Sequence, residues 1–284
     1  MNVSVIIPTL NAGKHIRHLV ASLKNQTCLP MEIIVIDSSS NDNTVCVAKE
    51  AGATVLTIPR SEFNHGLTRN LGARHATGDI LVFMTQDALP ANEKTIEILI
   101  QPITQRTTAA AYARQIPYHD ADPIERFWRT YNYPATSVIK DADQTYRKYF
   151  FSNVCSAFSK TVFERLGGFD KIEICEDVLM SYKLLHAGYR VAYQAEAMVK
   201  HSHNDSWRSK VSRYYRIGRF NGMYHQITRD SSNEKDGLAT VNCLMENLLK
   251  HREFGYAWMA VWDMLCRYIS YKLGWFIASA KSRG

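Results

Sequence analysis

Val82-Phe83-Met84-Thr85-Gln86-Asp87-Ala88 is an apolar run that ends on a carboxylate, and Ile33-Ile34-Val35-Ile36-Asp37 repeats the pattern upstream. Near-continuous Val/Ile runs without polar alternation are what a parallel sheet covered on both faces requires. A third run, Ser4-Val5-Ile6-Ile7 before Pro8-Thr9-Leu10-Asn11, belongs with them. Such strands bring two acids to the carboxyl edge of one sheet, where open α/β folds bind ligands. The first hundred residues therefore read as a nucleotide-binding half with acids at its mouth.

Working outward, residues 13–25 carry Ile16, Leu19, Val20 and Leu23 at helical spacing. Helices over 43–51 and 67–77 are stopped by Gly52 and Gly78, and Thr54–Thr57 reads as a short strand. This βαβαβ alternation predicts right-handed crossovers and a parallel sheet with helices on both faces. Further on, a helix over 92–103 precedes a strand over 109–115 and an irregular aromatic stretch, 116–148, with a helix at 123–131. A strand over 150–158, short helix 160–166, helix 176–187 and strand 190–194 follow. From about 204 the chain reads as helical (206–224, 239–250, 256–278), with the polar run 229–237 as a linker.

With 284 residues and 46% hydrophobic content, the chain is long enough for a full core. Its six cysteines lie far apart with no C-x-x-C pair, which argues against a zinc ribbon or a disulfide framework and fits a reducing compartment. The opening residues lack a basic-then-apolar leader, so no cleaved secretory signal is expected. Charge is uneven: residues 200–284 hold 14 Lys+Arg against 7 Asp+Glu, whereas residues 1–199 are balanced. That asymmetry points the tail toward an acidic surface or ligand.

The candidate site residues follow from chemistry. Asp37 cannot pair with a phosphate but can accept hydrogen bonds from a base or a ribose hydroxyl. Asp87 suits a hard divalent cation, which prefers carboxylate oxygens and bridges them to phosphate. Thr9 to Gly13 opens a helix, so its backbone N–H groups and Asn11 can cradle a nucleotide. Arg69 sits in a first helical turn, where a cation gains nothing from the macrodipole, so a bound anion or an ion pair must account for it. Asp42 reads as a helix cap, and His65 as a capping or packing residue. Glu176-Asp177 opens another helix; partial burial there would raise a carboxylate toward a useful base. His201-Ser202-His203 at a strand exit suggests a metal or phosphate contact, with His203 second to His201.

Taken in order, these residues resemble the family 2 glycosyltransferases of GT-A fold. The resemblance rests on Val5-Ile6-Ile7-Pro8-Thr9-Leu10-Asn11, Asp37-Ser38-Ser39-Ser40-Asn41-Asp42-Asn43-Thr44, Arg69-Asn70-Leu71-Gly72, Asp87, Gly167-Gly168-Phe169-Asp170, Glu176-Asp177 and His201. It implies a mostly parallel Rossmann-like sheet in a catalytic domain, residues 1–205, with a nucleotide-binding half (about 1–90) and an acceptor half (91–205). A basic amphipathic helical tail, 206–284, completes the chain. It further implies donor contacts from Thr9, Asn11, Asp37, Arg69 and Gln86, with Asp177 as catalytic base and Glu176 on the acceptor side. Mg²⁺ or Mn²⁺ would be held by Asp87 and His201.

The chain departs from that family where D-x-D is expected: Thr85-Gln86-Asp87 lacks the first carboxylate. With Phe63-Asn64-His65-Gly66, it resembles the rhamnosyltransferase branch of bacterial surface-polysaccharide synthesis. The implied donor is dTDP-β-L-rhamnose, and the implied acceptor a lipid-linked saccharide in O-antigen or similar synthesis. Competing readings are another donor such as a UDP-sugar, a sugar nucleotidyltransferase, or a metal-incompetent carbohydrate-binding subunit. The tail implies a cytoplasmic enzyme peripheral on the anionic inner face of the cell membrane, with no nucleic-acid partner and a possible homo-oligomer through the C-terminal helices. Asp263, Arg267 and Lys272 within 256–278 disfavour a spanning helix and favour one lying in the interface.

Overall fold

The computed structural model describes residues 1–143, 147–203, 205–225, 227 and 235–281. The chain divides into two compact units, Met1–Ile116 with Tyr133–Gln144 and Tyr149–His201, and Pro117–Asn132 with Thr145–Lys148 and Ser202–Gly284. The first holds a nine-stranded sheet: β1 (Val3–Thr9), β2 (Glu32–Asp37), β3 (Thr54–Thr57), β4 (Ile80–Met84), β5 (Leu89–Pro90), β6 (Ala110–Ile116), β7 (Val138–Lys140), β8 (Cys155–Ser159) and β9 (Val191–Lys200). Strands β3-β2-β1-β4 are parallel, as the apolar runs predict. Beyond β4 the order continues β8-β6-β9-β5 with antiparallel pairs at β4–β8, β6–β8 and β5–β9, so the sheet is mixed there. Strand β7 adds to β9.

Both faces of the parallel half are buried, which is why its strands read as unbroken apolar runs. On one face Val5, Ile7, Val35 and Val82 pack against Ile16, Leu19 and Leu23 of α1 (Ile16–Lys24), Ala48 of α2 (Thr44–Glu50) and Leu99 of α4 (Thr95–Thr104). On the other face lie α3 (His65–His75) and an aromatic cluster. There the Phe83 ring centroid lies 5.2–5.7 Å from those of Phe158, Phe163 and Phe169, in edge and tilted arrangements. Phe163 belongs to α6 (Lys160–Arg165) and Phe169 to the turn after it. The expected strand over 150–158 is corrected: only Cys155–Ser159 pairs as β8, and residues 150–154 turn off the sheet. The short β5 and β7 have no sequence period long enough to announce them.

The second unit is helical: α5 (Pro123–Asn132), α8 (Trp207–Met223), α9 (Lys235–Lys250) and α10 (Phe254–Lys281). The linker expected over 229–237 lies largely outside the described residues, with α9 beginning at Lys235. Helix α5 belongs here because its apolar side, Ile124 and Phe127, packs with Leu244, Leu248, Ala257 and Ala260. Residues 117–132, which include this helix, fall in the second unit, and the first unit ends at His201.

Helices α8 and α10 run parallel, since Lys210 meets Asp263, Tyr214 meets Arg267 and Gly218 meets Tyr271. Each step advances four residues on both helices, one turn at a time. The backbones touch: a Cβ on Gly218 would lie 2.0 Å from the Tyr271 carbonyl oxygen, and one on Gly274 2.1 Å from that of Tyr215. The buried Asp263 and the half-buried Arg267 form an ion pair at 2.5 Å in this seam, and Arg267 donates to Tyr214 Oη at 2.7 Å.

Gly218→Leu is therefore expected to destabilise the helical unit by about 1–3 kcal/mol, as overpacking does. Gly255→Ala, where an added Cβ meets nothing within 4 Å, should be neutral or better. Urea unfolding followed by tryptophan fluorescence separates the two.

Candidate functional site

The carboxyl ends of β1, β2 and β4 meet in a hydrogen-bonded junction. Thr9 and Asp37 are register partners on adjacent strands. The buried Asp37 carboxylate accepts from Ser40 N at 2.9 Å, Ser40 Oγ at 2.5 Å and Thr9 Oγ1 at 3.5 Å. Asn11, left-handed at φ 51°, accepts from Asn41 N on Oδ1, while its own N–H donates to Ser40 Oγ. Gln86 spans across: its Oε1 accepts from Leu10 N at 2.7 Å and its Nε2 donates to Leu10 O at 3.1 Å. Gln86 and Asn11 thus shape the loops around the edge. Asp42 accepts from the N–H of Thr44 at the start of α2, the capping role read from sequence.

Just past β4, Asp87 Oδ1 lies 3.5 Å from Nε2 of His201, which follows β9 and is buried. A carboxylate oxygen and an imidazole nitrogen at this spacing fit a divalent cation of the Mg²⁺/Mn²⁺ kind. Thr85, where the first acid of D-x-D would stand, keeps Oγ1 buried without a hydrogen-bond partner. An oxygen in that state suits a site that receives a polar ligand. His203, two residues further along the chain, falls in the second unit.

The remaining site residues gather where α3 meets α7 (Glu176–His186). Arg69 Nη1 donates to Glu176 Oε1 at 3.1 Å and to the His65 carbonyl at 2.9 Å, with both side chains of the pair over 90% buried. Arg69 Nε has no hydrogen-bond partner. An ion pair therefore accounts for Arg69, one of the two explanations the sequence left open. Helix α3 is capped by Asn64, which accepts from Gly66 N and Leu67 N, while His65 packs edge-on to Phe63 at 4.9 Å.

Asp177 neighbours that pair. It is half-buried, accepting from Asn153 N at 3.2 Å and from its own helix at Val178 N. Loss of hydration and the adjacent Glu176 carboxylate push it up to about 7, against the opposing pull of Arg69 and of these hydrogen bonds. Cys175, immediately before the acids, sits left-handed at φ 67°, a strained conformation of the sort that persists at functional sites. Asn153, not singled out from sequence, also donates to Glu176 from Nδ2 and accepts from Ser156. It lies in the 150–154 segment that sequence periodicity assigned to a strand, which hid its role.

With this geometry in place, comparison with known proteins is decisive. The glycosyl transferase family 2 model matches residues 4–167, and the chain belongs to this family of sugar-transferring enzymes. It is 37% identical, over 96% of its length and 90% of the relative's, to the O-antigen chain rhamnosyltransferase RfbN of Salmonella typhimurium. It is 36% identical to the O-antigen chain rhamnosyltransferase WbaN of Salmonella anatum, over 95% of this chain and 88% of that one. Among solved structures, it matches the mannosyltransferase PcManGT of Pyrobaculum calidifontis, in complex with GDP-Man and Mn2+, with TM-score 0.60 at 18% identity. That match covers 100% of this chain and 76% of the other. It matches S. aureus TarS 1-349 with the same TM-score, covering 89% of this chain and 72% of TarS. These likenesses fix the fold as that of the GT-A enzymes.

Removing one partner of a buried ion pair typically costs about 3–5 kcal/mol, whereas replacing both with apolar groups is often neutral. Arg69→Met should therefore lower the free energy of unfolding by about that amount, and Arg69→Met/Glu176→Leu should recover most of it. Chemical denaturation of the three proteins measures both quantities.

Proposed function

We propose that this protein transfers L-rhamnose with inversion from dTDP-β-L-rhamnose to a lipid-linked saccharide during O-antigen or related surface-polysaccharide synthesis. The observation that carries the reading is Asp177, a half-buried carboxyl group raised toward neutrality at the opening of α7. Near-full-length similarity to two O-antigen chain rhamnosyltransferases supports the donor and the pathway.

In the proposed step Asp177 takes the proton of the acceptor hydroxyl as that oxygen attacks the anomeric carbon. The bond from that carbon to the diphosphate breaks on the opposite face, and its electron pair leaves with dTDP. The proton ends on Asp177, and a β-linked donor gives an α-linked product. Thr9, Asn11 and Asp37 form the nucleotide side of the pocket, where Asp37 Oδ2, which accepts from Ser40 N, has a second lone pair to offer. Gln86 acts on the donor through the Leu10 loop it clamps. Arg69 orients Glu176 on the acceptor side, and its buried Nε has no hydrogen-bond partner. A divalent cation, Mg²⁺ or Mn²⁺, would be held by Asp87 and His201, and would neutralise charge on the leaving diphosphate.

The elevated Asp177 carboxyl sets a sign for pH. Its folded value, about 7, lies above its ordinary 3.8, so its contribution favours the folded state below 3.8 and is lost as pH rises through about 7. The base form needed for transfer is therefore also the form the fold disfavours. Transfer should fall with decreasing pH below about 7. Asp177→Asn should lower the rate by about 10²–10⁴-fold while binding donor normally, and should not be less stable than the parent at pH 8. Nucleotide release assays across pH, with calorimetric donor titration, check each part; transfer within a few-fold of the parent would remove Asp177 from its role.

The proposed site of action is a membrane surface. The side of α10 turned from α8 carries Trp258, Trp262, Leu265, Ile269, Leu273 and Phe276, all exposed, Trp258 by 80%. An apolar stripe this long is larger than monomeric proteins ordinarily leave uncovered. Among the described residues no helix is long and apolar enough to cross a membrane, so the stripe suits a helix lying in the lipid interface. Arg208, Arg213, Arg216 and Arg219 of α8 fall on the side away from α10 by helical geometry, so basic and apolar surfaces stand on different faces of the pair. Adsorption through the stripe should accordingly persist at high salt. Sedimentation with vesicles is expected to recover the parent at about 0.5 M salt and to lose Trp258→Ser/Trp262→Ser/Phe276→Ser. Self-association without vesicle binding would assign the stripe to a second copy.

A further inference from the structure

Behind His201 lies a buried polar network that the reaction so far leaves unused. Gln115, Tyr133, Ser152 and His201 are each more than 90% buried. The Gln115 amide nitrogen donates to Tyr133 Oη at 2.5 Å and to Ser152 Oγ at 2.9 Å. Its carbonyl oxygen lies 2.9 Å from His201 Nδ1. Both amide N–H groups are thus directed to hydroxyls, leaving a group that can only accept facing the imidazole.

We propose that Gln115 is a positioning residue that fixes the tautomer of His201 for cation binding. A carbonyl that meets Nδ1 requires the proton there, and a neutral imidazole carries a single ring N–H. Nε2 then presents its lone pair, and Nε2 is the atom 3.5 Å from Asp87 Oδ1. Two electron-rich atoms held toward one another repel unless a positive charge is shared between them. A ring nitrogen fixed by a hydrogen bond on its far side is the usual arrangement behind a metal-ligating histidine. The inference rests on the cation reading of Asp87 and His201 and adds the residue that would make His201 a ligand rather than a donor.

The backbone supplies the alignment. Strands β6 and β9 pair in register up to Ala113 opposite Gln194, and then the partner of Arg114 is Met198. The three extra residues of β9 advance that strand so that His201 N donates to Ile116 O, beside Gln115. The shift puts Gln115 opposite Val199, two residues before His201, where the unshifted register would put it opposite Glu196, and neither residue's neighbours in sequence reveal it.

An amide rotated by half a turn would invert the argument: an N–H would meet Nδ1, Nε2 would carry the proton, and His201 would donate to Asp87. Three measurements separate the arrangements. In ¹⁵N-histidine spectra of the protein without metal, with His201 assigned by loss in His201→Gln, a protonated Nδ1 and bare Nε2 are expected; the opposite tautomer overturns the proposal. In calorimetric Mn²⁺ titrations, Gln115→Leu should bind about 10–100-fold more weakly. Gln115→Glu, which still accepts from Nδ1–H, should escape that loss and bind closer to the parent than to Gln115→Leu. Gln115→Leu binding as tightly as the parent would also overturn it. Should Gln115→Leu fail to fold, the spectra and Gln115→Glu carry the test. If the parent itself binds no Mn²⁺ and Asp87→Ala changes nothing, the cation reading fails, while the tautomer still decides the role of Gln115.

Discussion

The buried ion pair between Arg69 and Glu176 joins α3 to α7. Both groups are removed from water, so neither can be left alone without a large desolvation cost. Helix α3 must present Arg69 and α7 must present Glu176 at one point, which fixes where α7 begins. Asp177 follows in the next position, and Asn153 bonds to both acids from a third segment. Three pieces of chain distant in sequence are thereby brought to one place. The local environment also sets the acidity of Asp177: burial and Glu176 raise it, while Arg69 moderates the rise. A strained left-handed Cys175 at the helix entrance is tolerated because this constellation over-determines it.

At the sheet edge the chain compensates for an absent acid by geometry. Thr85 occupies the place of a carboxylate, and the residue after it is used internally, as Gln86 grips the Leu10 backbone through both amide atoms. Asp87 lies beside His201 at this edge, 3.5 Å from its Nε2. One acid in place of two lowers the negative charge around a cation. Under the proposed cation reading, an imidazole with its tautomer set by Gln115 supplies the missing donor atom without restoring that charge.

The helical unit follows different physics. Its central seam is a parallel pair of helices brought to backbone contact by glycines, with the Asp263–Arg267 pair and Tyr214 enclosed between them. Close approach turns the polar residues of α10 inward and leaves its large apolar side chains outward, the reverse of an ordinary surface helix. The three charged residues inside 256–278 thus divide: Asp263 and Arg267 belong to the seam, and Lys272 faces water.

The sequence by itself determined the parallel half of the sheet. Strands buried on both faces leave an unmistakable apolar run, and Asp37, Asp87 and Asp177 stand where local signals end. The family and its enzymatic class were also legible, because the motifs occur in one order along the chain. Tertiary structure alone decided what lies beyond β4. The mixed pairing there, the turn that brings Asn153 to the acids and the β6–β9 irregularity that aligns Gln115 with His201 have no local period. Helix α5 was read as a helix, but only packing joins it to Leu244 and Leu248 in the second unit. Sequence periodicity reports which face of an element is buried; it carries no record of which distant element does the burying, and hydrogen bonds between segments are set only once those partners meet.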